Sequence, residues 1–121
     1  MTEPQPFTIP AGSRVYLGEP AQEPVQLLDA IGAALAAVPA VREARRVWVV
    51  IDDGAPGLVI GIEAEPDQAS VRRDALSAVA RAQIAAPTQF PVGVVFAQDR
   101  GELAAWMAEN AVPFFRARKS L

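Results

Sequence analysis

The chain has 121 residues, half of them apolar and a fifth charged, with 11 Pro, 8 Gly and a formal net charge of −3. That length suits one domain burying roughly two thirds of the surface its unfolded chain exposes, so no covalent staple is required. Neither Cys nor His occurs, which excludes thiol nucleophiles, disulfide frameworks, imidazole bases and the commonest transition-metal ligands.

Residues 1–11 carry three Pro and no hydrophobic period and read as a flexible N-terminal segment, with residues 12–121 as a single domain. Ser13 to Leu17 has the β-branched and aromatic content of a short strand, ended by Gly18-Glu19-Pro20. Beyond it Leu28, Ile31, Leu35 and Val38 recur at three- and four-residue steps. They predict one apolar helical face, with Pro24 in the first turn, where its missing N–H costs nothing, and Pro39 as the stop. Gly32 within that helix predicts close approach of a neighbouring element.

RRVWVVID, residues 45–52, predicts a strand with Val47, Val49 and Ile51 on one face, Trp48 and Val50 on the other, and both faces covered. DDGAPG then turns into LVIGIEAE, where Leu58, Ile60 and Ile62 oppose Val59, Gly61 and Glu63, giving an antiparallel hairpin. Asp67 is placed to cap a second helix running to about Ala85, with Val71, Ala75, Leu76 and Val79 inside and Arg72, Arg73 and Arg81 in water. PVGVVFA is almost wholly apolar, as a covered strand should be. Asp99 to Glu102 has capping-box spacing and opens a short helix with Leu103, Trp106 and Met107 inward and an exit at Asn110. The fold class is therefore α+β: a mostly antiparallel or mixed sheet in βαββαβ, ferredoxin-like order, with an extra C-terminal helix.

Chemistry-bearing combinations are sparse. Ser13, Ser70, Ser77 and Ser120 have no imidazole to activate them. Asp52-Asp53 reads as a turn, because strand neighbours point to opposite faces and DDGAPG lacks the alternating ligands of a calcium loop. Glu63, Glu65 and Asp67 read as solvent-facing charge that discourages edge pairing. Neither Gly-rich phosphate pattern occurs. No catalytic, metal-binding or cofactor-binding residue is predicted, and no cofactor. Ten Arg and one Lys scattered over a chain of pI ≈ 4.9 predict no nucleic-acid partner. No apolar run nears the roughly 20 residues of a spanning helix, so no membrane association is expected and a cytoplasmic location is compatible. The tail VPFFRARKSL sets Phe114-Phe115 beside Arg116 and Arg118, apolar anchors next to guanidinium groups as at many protein interfaces. The expected arrangement docks at least one Phe on the domain's own sheet and leaves the Arg side for a partner.

SRVYLGEPAQEPVQLLDAIGAALAAVPAVREARRVWVVIDD resembles the opening of the C-terminal domain of the enhanced serine sensitivity, or SseB, protein family. The likeness consists of a strand ending in VYLGEP, a second Pro shortly after, an LLDAI helix, a V-R-E-A entry and a strand ending near an acidic pair. It runs from about Gly12 to Phe114-Phe115-Arg116. The resemblance implies a kinship with two-domain bacterial cytoplasmic proteins that carry an additional N-terminal domain, and it implies no established reaction or catalytic residues. Tyr16, Gly18, Glu19 and Pro20 match the family pattern best; Gly18 would permit an unusual turn, Pro20 would stiffen it and Glu19 would favour a nearby helix start. The expected function is a non-enzymatic cytoplasmic protein-interaction or regulatory domain, capable of self-association. Its candidate contacts are Tyr16, Gly18, Glu19, Pro20, Phe114, Phe115, Arg116 and Arg118. The alternative is a small-molecule, amino-acid-sensing domain, supported by fold analogy and the serine-linked family name. An enzyme would need a deep pocket joining Glu19 or Asp52 to Arg14 or Arg46.

Overall fold

A computed structural model describes residues 5–6, 15–18, 23–51, 54, 56–66, 68–99 and 101–117. The alternating segments assemble one six-stranded mixed sheet. Its strands are β1 (Gln5–Pro6), β2 (Val15–Gly18), β3 (Val41–Ile51), β4 (Gly57–Ala64), β5 (Val92–Phe96) and β6 (Pro113–Arg116). The helices are α1 (Val25–Leu35), α2 (Ala69–Ala85) and α3 (Glu102–Asn110). Spatial order is β1-β5-β4-β3-β2, with β6 also on β3. The predicted hairpin is present: β3 and β4 pair antiparallel with Trp48 opposite Leu58 and Arg46 opposite Ile60. β5 lies parallel to β4, and β1 parallel to β5. Pro6 is tolerated in β1 because that strand lies at the sheet edge, where a missing N–H leaves no central ladder bond unmade.

From β2 to β5 the chain follows the predicted βαββαβ order, but the sheet is not ferredoxin-like. That arrangement sets the first and third of these strands side by side, whereas β2, β3, β4 and β5 lie in sequence order. Connection α1 returns the chain antiparallel beside β2, and only β4–α2–β5 is a parallel crossover. The length of β3 makes this workable. Its eleven residues give β2 the Trp48–Ile51 end and β6 the Glu43–Arg45 end of one edge.

Helices α1 and α2 cover one face of the sheet. There Leu27, Leu28, Ile31 and Leu35 meet Leu58, Ile60, Ile62, Val92, Val94 and Phe96, together with the small face Ala75, Ala78, Val79 and Ala82 of α2. On the opposite face α3 lays Leu103 and Met107 over Val47, Val49, Val59 and Val95. Each fully buried aliphatic side chain contributes roughly 1.5–3 kcal/mol, so these two clusters hold the sheet between unequal layers. Gly61 lets α3 come close: a Cβ there would stand 2.9 Å from Met107 Cε.

Several local expectations change. β3 starts at Val41, earlier than its alternation suggests, because a register shift between Val41 and Glu43 breaks the two-residue period. Pro24 is the N-cap of α1, and its carbonyl accepts the Leu28 N–H at 3.0 Å. The capping box at Asp99 does not form. Gly101 is the N-cap of α3, while the Asp99 carboxylate accepts from the Phe96 N–H at 3.3 Å and from Arg72 Nη1 at 2.9 Å. Arg72 is therefore not simply in water; its guanidinium also sits 4.6 Å over the Phe96 ring. Glu63 is exposed but lies on an interior strand, so it guards no edge. Asp52, Asp53 and Asp67 lie outside the described residues, and the Gly54 N–H closes the turn onto the Ile51 carbonyl at 2.8 Å.

Candidate functional site

The described members of both groups of sequence-predicted contacts fall on the same edge of β3. Tyr16 stands opposite Val50, and Phe115 opposite Ala44. Because β2 and β6 are each antiparallel to β3, they run in one direction, end to end, with their aromatic residues about 20 Å apart at ~3.3 Å per strand residue. Tyr16 is 53% exposed and Val112, just ahead of β6, is 63% exposed. Phe114 and Phe115 are half-buried against the core beneath α1. Phe115 Cδ1 lies 3.7 Å from the place a Gly32 Cβ would occupy, the approach that a helical glycine at this position predicts.

An ion-pair chain fixes β6 to β3. Glu43 Oε2 accepts from Arg45 Nη2 at 3.0 Å, and its Oε1 lies 3.2 Å from Arg116 Nε. Arg45 also donates to the Ala111 carbonyl. The segment from Ala111 to Arg116 is thereby tied to β3 near both its ends, while the Arg116 side chain stays largely in solvent. Neither Glu43 nor Arg45 stands out in the sequence. A carboxylate and a guanidinium two residues apart on a strand are the available signal, since such residues share a face.

Gly18 makes no unusual turn. It is the last residue of β2, opposite Trp48, with φ outside the left-handed region and nothing within 4 Å of the place a Cβ would take. Glu19, Pro20 and Arg118 lie outside the described residues, as do Arg14 and Asp52. Arg46, the other guanidinium considered for an enzyme pocket, has a structural partner. It lies on the helix-covered face at 9% exposure, and its Nε donates to Glu23 Oε1 at 2.5 Å. This hydrogen bond and the charge of Arg46 hold the Glu23 carboxyl below its ordinary pKa, against an opposing contribution from burial. Glu23 directly precedes the Pro24 cap, so the pair clamps the entry of α1 to the middle of β3.

Among the clefts that border the described elements are two small ones. One of about 70 Å³ lies between α3 and the sheet, with Gly61, Val95, Ala104 and Met107 as its apolar lining and Glu43, Arg45 and Glu63 as its polar groups. The other, about 180 Å³, lies between the start of α1 and the segment after α2, against Pro24, Leu27, Ala86 and Pro87. Both fall below the roughly 300–1,000 Å³ usual for small-molecule sites. Among the described residues no three acidic side chains gather as a metal site, and no helix is long and apolar enough to cross a membrane.

These features define an α+β domain with a mixed sheet, a helix pair on one face and a single helix on the other. The sequence pattern of the SseB protein C-terminal domain matches residues 9–117, and the chain belongs to this family. No curated protein and no solved structure matches it.

Proposed function

We propose that this chain is a non-enzymatic, cytoplasmic protein-interaction domain that contacts a partner or a second copy through the edge formed by β2 and β6. The observation that carries this reading is the alignment of Tyr16, Val112 and the Phe114–Arg116 strand along one side of β3. Aromatic and Arg side chains beside exposed apolar surface are the composition of protein interfaces. The lack of His and Cys favours contact over chemistry.

Light scattering on size-exclusion fractions and capture from a bacterial lysate test the reading on the full chain and on Tyr16→Asp, Val112→Asp and Arg116→Glu. These positions are exposed, so the core is left intact. Self-assembly or a captured protein that the edge variants lose is the expected result. A strict monomer that retains nothing, with or without the substitutions, overturns it.

A further inference from the structure

We infer that the outer face of the α1–α2 layer seats a second copy of this chain, which leaves the β2–β6 edge of the interaction reading to another partner. The two helices run antiparallel, since the start of α1 and the segment after α2 line one cleft, with Leu27 and Pro87 on its two sides. Each helix turns an exposed stripe outward at three- and four-residue steps: Val25, Asp29, Ala33 and Ala36 from α1, and Arg73, Ser77, Arg81 and Ile84 on α2. Val25 and Ile84, 58% and 60% exposed, therefore stand at one end of the layer. Asp29 and Arg81, one turn further in on their helices, lie level with each other.

Charge selects the occupant. Asp29 is the only ionisable residue of α1, whereas the outward side of α2 carries Arg73, Asp74 and Arg81. Neither Asp29 nor Arg81 has an ion pair or a side-chain hydrogen bond among the described residues. A face acidic on one half and basic on the other complements itself. A two-fold axis parallel to the helices lays α1 of one copy on α2 of the other, so that Val25 meets Ile84 and Asp29 meets Arg81, twice by symmetry. The facing helices are then antiparallel, the favourable sense for their dipoles. A two-fold across the helices would instead set α2 on α2 and bring Arg73 toward Arg81. The face measures about 20 Å along the helices and ~20 Å across the pair, so two copies bury close to the ~1,000 Å² at which specific contacts begin, and the dimer is a reversible one.

The test is sedimentation velocity of the full chain over a concentration series, which is expected to show a monomer passing to a dimer in the micromolar range. Asp29→Arg and Arg81→Asp are each expected to weaken the dimer about tenfold, because each sets like charges together twice. The double variant Asp29→Arg/Arg81→Asp is expected to return to within about threefold of the parent, a rescue that only a direct pair gives. Ile84→Asp should leave a monomer, and Tyr16→Asp and Val112→Asp, on the sheet edge, should leave the dimer intact. All these positions are exposed, and circular dichroism verifies each fold. A monomer at every concentration, single variants that dimerise like the parent, or a double variant no better than the singles each overturn the inference. Another protein captured by the parent and lost in Ile84→Asp gives the face to that protein and overturns it too. A dimer lost only in the edge variants, or a monomer that still captures a protein through the edge, overturns this inference alone and leaves the interaction reading standing.

Discussion

Arg46 and Glu23 meet at 2.5 Å across the junction between the middle of β3 and the start of α1. A guanidinium on the covered face of a sheet is costly without a partner, so the pair is as much a requirement of burial as a source of stability. Replacement Glu23→Gln should destabilise by about 1 kcal/mol, a figure reduced because the carboxylate is 43% exposed. Arg46→Ala, which also removes the buried stem, should cost about 2–3 kcal/mol. Urea unfolding at neutral pH measures both.

The same pair sets an acid dependence. The folded pKa of Glu23 is lowered below its ordinary 4.5, so near and below that value the unfolded chain binds more protons than the folded one. The contribution is full above the unfolded pKa and is lost as pH falls through the folded one. Unfolding free energy measured from pH 6 to pH 3 should fall less steeply in Glu23→Gln than in the parent chain; parallel curves would contradict the assignment.

Gly61 and Met107 offer a test of how α3 is seated. A methyl at position 61 would crowd the flexible end of Met107, at 2.9 Å from Cε and 3.1 Å from Sδ, and would touch Val95 Cγ2 at an ordinary 3.8 Å. Gly61→Ala should stay within about 1 kcal/mol of the parent, whereas Gly61→Val should cost about 2 kcal/mol through overpacking. Adding Met107→Ala to Gly61→Val should recover part of that loss, a coupling that a double-mutant cycle reads directly.

At Gly32 the expected sign is opposite. The Phe115 ring is 3.7 Å from the would-be methyl, an ordinary contact, so Gly32→Ala gains helix propensity without a clash. Thermal unfolding should show a stabilisation of up to about 1 kcal/mol. Phe115→Ala, which uncovers the same spot, should destabilise by about 2 kcal/mol.

Serine and related amino acids at millimolar concentration should leave the melting temperature unchanged, because the cleft of about 70 Å³ beneath α3 is too small to enclose such a ligand and the one of about 180 Å³ beside Pro24 has no charged side chain in its lining to pair the ammonium and carboxylate. A saturable upward shift would instead favour a sensing domain.

Local periodicity made much of this fold readable. The spacing of Leu28, Ile31 and Leu35 marks the buried face of α1, and the alternation of Leu58, Ile60 and Ile62 marks the covered face of β4. What escaped is long-range. Nothing near Phe115 says that its strand lies beside Ala44, and nothing near Tyr16 says that the same edge receives it. The strand order failed for a related reason: the element sequence βαββαβ is compatible with more than one sheet, and the length of β3 chooses between them. Arg46 could have been flagged, since it occupies an inward position between Ala44 and Trp48, where a charge implies a partner. Its identity as Glu23 had no local signature.

Sharing one flank of β3 between an early and a late segment also has a consequence for biosynthesis. As the polypeptide leaves the ribosome, the Glu43–Arg45 stretch must wait roughly 70 residues for its mate, several seconds at ~5–20 residues per second. Throughout that interval the nascent molecule offers a vacant seat beside Ala44, and a holding chaperone or a neighbouring copy has its opportunity there before the molecule's own final strand arrives.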